Sequence, residues 1–334
     1  MKQYNLCFLG FGKVGRALVR LLIAKTEELR KTYGLDYRIT GVASRTLGWQ
    51  ANVDGFEPQQ LLQPSAHNGA ANIQGWLTAA KPDAVFETIS LDPEKGQPAI
   101  DYLRDALASG SHAITANKGV VVYGFKQLNE LARTMNRSFL FESSVLDSAP
   151  VFSLFRETLP AAKLRGFSGA FSSTTNVILE TMEAGRSFAE GVKAAQELGV
   201  TETDPSHDID GWDATMKVCA LANVLMNVSL KPDEVARSGI RELNANQLQR
   251  ARAENKPFKL IARARLNPDG KVTASVRPEQ VAALDPLGTV RGTSLAIHFE
   301  LDMMPGLTIT SHRPNLQSTA YGLLADFINA VKDD

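Results

Sequence analysis

The sequence predicts an α/β fold, with a doubly wound parallel sheet first and an α+β half after it. Three observations carry this. Short apolar runs alternate with helix-length amphipathic stretches up to about residue 141. The first of those runs stops at a glycine cluster that opens a helix. Beyond Pro150 the alternation gives way to helical segments, then to closely spaced period-2 runs.

The elements follow in order. Residues 4–9 are a short apolar run ending at Gly10, the pattern of a strand buried on both faces. From about Val14 to Lys31, Ala17, Leu18, Leu21 and Leu22 share one face of a helix. Tyr37–Ala43, Ala84–Ile89, His112–Thr115 and Phe139–Phe141 read as further strands with helices between them. In the second half a helix is expected from about Val151, then a strand over Leu164–Ser172. Helices are expected near 175–185, 188–198 and 211–226. Period-2 runs at Lys259–Leu266, Val272–Val276, Thr293–Leu301 and Leu307–Thr310, with a turn at Asn267-Pro268-Asp269-Gly270, predict antiparallel pairing. A helix from Ser318 to Val331 closes the series. The expected domains are 1–145 for dinucleotide binding and 146–316 for substrate, catalysis and dimerisation. The helix of 317–334 is expected to pack back on the first domain, with no regulatory module behind it.

Gly10-Phe11-Gly12-Lys13-Val14-Gly15 matches GxGxxG. In a chain with 25 glycines the match alone says little, and a glycine-rich turn of another α/β fold is the bland reading. Its position between a strand and a helix makes it the Rossmann fingerprint. The first glycine permits a tight turn. The second lets backbone approach a pyrophosphate on the helix N-terminus, and the third lets helix and strand pack closely. Gly10, Phe11, Gly12, Val14 and Gly15 are therefore the expected cofactor-binding loop.

Cofactor choice is read at the end of the second strand. A carboxylate there would take the ribose hydroxyls of NAD, and an arginine suits a 2′-phosphate. The sequence has Ser44-Arg45-Thr46 and no carboxylate beside it, so NADP is expected, with NAD the alternative. The bland reading of Arg45 is a solvated loop arginine.

Bulk properties narrow the class. Lys and Arg total 36, as do Asp and Glu, which gives no reason to expect nucleic acid. No stretch approaches about 18 apolar residues, so no membrane span is expected. Cys7 and Cys219 sit in apolar runs without a CxxC, and read as buried thiols of a reduced compartment. A cytoplasmic enzyme of small molecules is the default. The five histidines show no ligand spacing, so zinc is not expected, and His207 reads as a loop residue.

Two clusters carry candidate chemistry. Lys118, in Thr115-Ala116-Asn117-Lys118, follows a strand, where parallel sheets keep their ligand crevice. A surface lysine on a loop is the plain alternative. The second cluster is Glu202, Asp204, Asp208, Asp210, Asp213 and Lys217. A helix capped by Asp210 would set Asp213 and Lys217 at i, i+4 on one face. That is also the pattern of an ordinary surface ion pair. Lys217, however, leads into Val218-Cys219-Ala220-Leu221. A buried lysine needs a partner or loses its proton, which makes it usable as a general acid or base. The carboxylates before it suit an amino group.

The chain resembles homoserine dehydrogenase, in the short form without a ligand-sensing C-terminal domain. The resemblance rests on the glycine loop, Thr-Ala-Asn-Lys at 115–118, Phe-Glu-Ser-Ser-Val at 141–145 and Ser-Thr-Thr-Asn at 173–176. It rests most of all on the long segment 197–217, from Glu-Leu-Gly-Val-Thr-Glu-Thr-Asp-Pro to Asp-Ala-Thr-Met-Lys. It implies reversible hydride transfer between aspartate 4-semialdehyde and homoserine, on the way to threonine, methionine and isoleucine. It implies that Lys118 and Lys217 flank the reacting carbon. Lys217 would be the proton donor, and Lys118 would touch cofactor and substrate. Glu202 and Asp213 would bind the substrate amino group with Asp208 in support, and Thr88 and Ser90 would lie along the cofactor. Glu142 and the carbonyl of Val145 match a monovalent-cation site, and a homodimer is implied.

Three stretches depart from the family pattern: Leu146–Pro150, Ser172–Asn176 and Ser311–Asn315. The first replaces a glycine-rich turn and brings Asp147. The last replaces a glycine-alanine-glycine turn and brings Arg313. These two side chains open a second reading, a related oxidoreductase for another small hydroxy or oxo compound. A non-catalytic NADP-binding sensor is a third, against which the retained lysines and carboxylates speak.

Overall fold

The structure, a computed structural model, describes residues 1–63, 69–201 and 203–332. The chain divides into two compact units, one of 1–148 with 315–334 and one of 149–314.

The first unit begins with β1 (Lys2–Leu9), α1 (Lys13–Tyr33), β2 (Leu35–Ser44), β3 (Gly48–Phe56) and the short α2 (Pro58–Leu61). It continues through α3 (Ile73–Ala80), β4 (Ala84–Glu87), α4 (Ala99–Ala108), β5 (His112–Thr115), α5 (Lys118–Thr134) and β6 (Phe139–Leu140). Its sheet runs β3-β2-β1-β4-β5-β6. Every pairing is parallel except the edge pair β2–β3.

Alternation along β1 explains why helices cover both faces, since successive side chains point opposite ways. Tyr4, Leu6 and Phe8 join one apolar cluster with Leu18 and Leu22 of α1. Cys7 and Leu9 join the other, with Ile73, Trp76 and Leu77 of α3. Strand β3 was not expected from the sequence. Its residues, Gly-Trp-Gln-Ala-Asn-Val-Asp-Gly-Phe, lack period-2 hydrophobicity because the strand lies at the sheet edge and is mostly half-buried or exposed.

The second unit holds β7 (Leu164–Ala170), α6 (Ser173–Glu183), α7 (Phe188–Glu197), α8 (Ser206–Ile209) and α9 (Trp212–Leu225). After these come β8 (Ala236–Arg237), α10 (Ala245–Ala253), β9 (Phe258–Leu266), β10 (Val272–Gln280), β11 (Leu295–Leu301) and β12 (Leu307–Ser311). The sheet order is β12-β11-β7-β9-β10-β8. All of its neighbours are antiparallel except β10 and β8. The 267–270 turn closes the β9–β10 hairpin, with Gly270 N–H donating to the Asn267 carbonyl at 2.9 Å.

The helix expected from Val151 is present but short: residues 152–153 are α-helical and Leu154–Thr158 form a π-helical turn. The Leu159 N–H donates five residues back to Leu154, and Pro160 offers no N–H to continue.

The last helix, α11 (Leu316–Val331), belongs to the first unit. Its Phe327 lies edge-on to Tyr4 and Phe86, at 5.7 and 6.0 Å between ring centres. Ala320, Leu323 and Leu324 fill the same cluster.

Candidate active site

In the first unit the glycine loop sits where three strand ends meet. Gly10 has φ +92° and donates its N–H to the Ala43 carbonyl at 2.8 Å. A Cβ there would stand 2.6 Å from the Thr88 backbone, so no larger residue fits. A Cβ on Gly15 would lie 2.9 Å from the Gly10 carbonyl, which sets how closely α1 approaches the loop. Beside Gly12 the space is open. The first turn of α1 has neither a side-chain cap nor an acidic residue. Its N-terminal N–H groups and dipole suit a diphosphate.

The predicted cofactor residues meet this loop in different ways. The Phe11 ring is buried against Phe8 at 5.8 Å, with the Arg16 guanidinium 4.9 Å above it. Its side chain is core, and only its backbone belongs to the loop. Val14 packs against the same cluster. Thr88 Oγ1 donates to the Gly10 carbonyl at 3.0 Å, so this hydroxyl fastens the loop. Ser90, two residues further on, is exposed.

Arg45 is exposed in the turn after β2, two residues past Ala43, which is in register with Leu9. Lys118 is the first residue of α5, half-buried, beyond the carboxyl end of β5. Asn117 caps that helix, its Oδ1 accepting from Gly119 N–H at 3.0 Å. Glu142 is buried at the start of a single 3-10 turn, Glu142–Ser144, which Val145 closes. A carboxylate and a carbonyl three residues apart are a donor set of oxygens only, fitting a hard cation.

In the second unit, α9 presents Asp213 in its first turn and Lys217 one turn later. Lys217 Nζ lies 2.8 Å from Asp213 Oδ2, with side-chain exposures of 13% and 20%. The ammonium also donates to the Phe171 carbonyl at 2.7 Å. With Val218, Cys219 and Leu221 buried just after it on α9, and with these low exposures, the pair is more shielded than a surface i, i+4 contact.

Asp210 does not cap α9. Gly211 takes the cap position with φ +80°, the left-handed region that favours glycine. Asp210 instead pairs with Arg241, Oδ1 to Nε at 2.5 Å, and its carbonyl accepts from Arg237 at 2.5 Å. The Arg237 guanidinium lies 3.7 Å from the Trp212 ring centre, so both arginines brace the turn into α9.

Asp208, on α8, accepts from Thr174 Oγ1 at 2.8 Å and Thr201 Oγ1 at 3.3 Å. Burial pushes its carboxyl above the ordinary aspartate value, and the neighbouring Asp213 charge adds to this. The Thr174 hydroxyl and Lys217 pull partly the other way. His207 and Asp204 are exposed. Glu202 lies outside the described residues. Among the described residues there is no group of three His, Cys, Asp or Glu suited to a metal ion.

Thr174, named in the sequence only as part of the 173–176 motif, and the Phe171 carbonyl also join the carboxylate–lysine cluster. The signal for Thr174 was faint: Ser172 caps α6 through Thr175 N–H, which leaves the Thr174 side chain to face another partner.

The class this fold and site define is the NAD(P)-dependent oxidoreductases acting on a CH–OH group. The family model for homoserine dehydrogenase matches residues 150–328, more than half of the chain. The chain belongs to the homoserine dehydrogenase family. It is 34% identical to the NAD(+)-dependent homoserine dehydrogenase of Pseudomonas canavaninivorans, over 98% of this chain and 96% of that one. The homoserine dehydrogenase of Corynebacterium glutamicum is 27% identical, over 98% of this chain and 72% of its own. Among solved structures, a putative homoserine dehydrogenase from Archaeoglobus fulgidus superposes with a TM-score of 0.86. It is 27% identical, with 98% of each chain covered.

Proposed function

We propose that the chain interconverts homoserine and aspartate 4-semialdehyde. The observation that carries this reading is the shielded Lys217–Asp213 pair beside Asp208, in a chain of this family. When bound, the nicotinamide cofactor supplies the hydride that the aldehyde carbon gains in reduction. Lys217 then gives its ammonium proton to the oxygen that becomes the hydroxyl, and takes one back in the reverse direction. Asp213 and the Phe171 carbonyl orient that ammonium. Asp213, with Glu202 and supported by Asp208, is assigned to the substrate's amino group. Lys118 is assigned to cofactor and substrate.

The finer cofactor reading is NADP. It is supported by Arg45 at the carboxyl end of β2, with no carboxylate in the Ser44-Arg45-Thr46 turn. Gly10, Gly12 and Gly15, with the backbone of Phe11 and Val14, would carry the diphosphate, and Thr88 and Ser90 would line its far side. Glu142 and the Val145 carbonyl would supply two oxygens to a monovalent cation. We assign the chain to the cytoplasm and to a homodimer, which light scattering of the purified protein would test. Steady-state oxidation of homoserine with NADP and with NAD tests the whole reading. Activity with neither would overturn it, and a preference for NAD would overturn the Arg45 assignment alone.

A further inference from the structure

The buried carboxyl of Glu87 has no place in the site described so far. It ends β4, where Ala84, Val85 and Phe86 are buried and apolar, and its own exposure is 0%. Strands of a parallel sheet covered on both faces are usually apolar throughout. Burying a carboxylate is costly, and a packed apolar side chain is often as stable or more so. A glutamate here therefore needs a reason beyond packing.

Its hydrogen bonds supply one. Thr115 Oγ1 donates to Glu87 Oε2 at 2.5 Å, the Ile89 N–H to Oε1 at 2.8 Å and Asn117 Nδ2 to Oε1 at 3.4 Å. The directions are fixed by the neighbours. Thr115 Oγ1 already accepts from Asn117 N–H at 2.9 Å, so its one proton goes to Glu87. Asn117 Oδ1 is spent on Gly119 N–H, which turns the amide's NH2 toward Glu87. The Glu87 carbonyl also accepts from Ala116 N–H at 3.2 Å. Glu87 thus bonds to Thr115, Ala116 and Asn117 in turn, Asn117 passes the hold on to Gly119, and the next residue, Thr88, holds the glycine loop through Gly10.

We propose that Glu87 is a positioning residue. Its carboxyl fixes the Thr115–Gly119 segment, and with it the base of Lys118, against the strand end that carries Thr88. The role of Lys118 in this proposal rests on the homoserine dehydrogenase reading; the tethering of the segment does not. Fully buried, Glu87 acts through the residues it holds. Burial pushes its carboxyl up to about 7, against the three donors that hold it down. Above about pH 7, where the carboxyl is ionised, glutamine is the discriminating replacement: its NH2 would face the Thr115 hydroxyl, donor against donor, at nearly unchanged volume.

The test uses Glu87→Gln, Thr115→Val, Thr115→Ser and the Glu87→Gln/Thr115→Val double variant of the full chain. Amide hydrogen exchange of peptides covering 115–121 is read without ligand, and homoserine oxidation is read beside it. Glu87→Gln and Thr115→Val should each speed exchange of that segment about tenfold, leaving β1 unchanged. They should lower kcat about tenfold with KM for homoserine held within about threefold. Thr115→Ser, which keeps the hydroxyl, should match the wild type, and the double variant should be no worse than either single. Unchanged exchange in Glu87→Gln, equal damage from Ser and Val at 115, or losses that multiply in the double variant would overturn the proposal. If Glu87→Gln does not fold, the Ser and Val pair decides. If the wild type does not oxidise homoserine, the functional reading fails and the exchange result still judges Glu87.

Discussion

Asp147 Oδ1 accepts a hydrogen bond from Thr319 Oγ1 at 2.7 Å, tying the turn after Val145 to the first turns of α11. Close by, Ser143 Oγ donates to the Thr319 carbonyl at 2.8 Å. A Cβ on Gly322 would lie 2.2 Å from Ser143 Oγ, so helix and turn meet closely. Asp147 is thus engaged within its own unit, near the positive end of a helix. This gives Asp147 a role in seating α11, apart from any part in choosing a substrate. Arg313 is exposed and donates its backbone N–H to Ser294 Oγ at 3.3 Å.

Thr319→Val should therefore cost about 1 kcal/mol of unfolding free energy and leave homoserine kinetics unchanged. Asp147 has φ +56°, where glycine is favoured by about 1–2 kcal/mol per residue. Asp147→Gly should offset much of its lost hydrogen bond and come out nearly neutral. Urea unfolding of both variants checks this. A large change in KM for homoserine in either would place Asp147 at the substrate after all.

Lys217→Met should lower kcat by about 100-fold to 10,000-fold, the range of a general acid, with cofactor affinity kept. Fluorescence titration of the reduced cofactor separates the two. Weakened cofactor binding would make Lys217 structural.

Arg45→Ala should weaken NADP by about tenfold to 100-fold and NAD by less than about threefold, since a charge-assisted contact to phosphate is lost and nothing else is. The ratio of kcat/KM for the two cofactors is the measurement. Equal effects would show that Arg45 does not face the ribose.

Glu87 also sets a pH dependence. Its folded value of about 7 lies above the ordinary 4.5. The native state thus keeps a proton that the unfolded chain releases in between. Its contribution is fully present below about pH 4.5 and is lost as pH rises through 7. The stability difference between wild type and Glu87→Gln should shift against the wild type by about 3 kcal/mol between pH 4.5 and 7. Denaturant unfolding at both pH values tests the sign.

Cys7 and Cys219 are both buried, and burial pushes each thiol up to about 12. Neither should react with iodoacetamide in the native state at pH 8, and both should after unfolding.

The legible parts of this chain were those whose signal is local. The glycine loop, the apolar face of α1 and the Asn-Pro-Asp-Gly turn each declare themselves within a few residues. What stayed hidden depends on distant partners. Glu87 reads as a lone polar residue in Ala-Val-Phe-Glu-Thr-Ile, and its meaning lies in Thr115 and Asn117, which are 28 and 30 residues away. Asp210 looked like a helix cap because its type suits one. Gly211 took that place, and Arg241, 31 residues on, took the carboxylate. The roles of Thr174 and the Phe171 carbonyl became visible only once α6 and α9 were placed.

The unit that holds the glycine loop is assembled from two separated stretches of chain, 1–148 and 315–334. This has a consequence for biosynthesis. A ribosome adds about 5–20 residues per second, so 166 residues of the other unit emerge before Phe327 can seat against Tyr4 and Phe86. The nascent protein must hold an open apolar face for about 10–30 s of translation. The second unit, being continuous, is free to fold while the first still waits for its last helix.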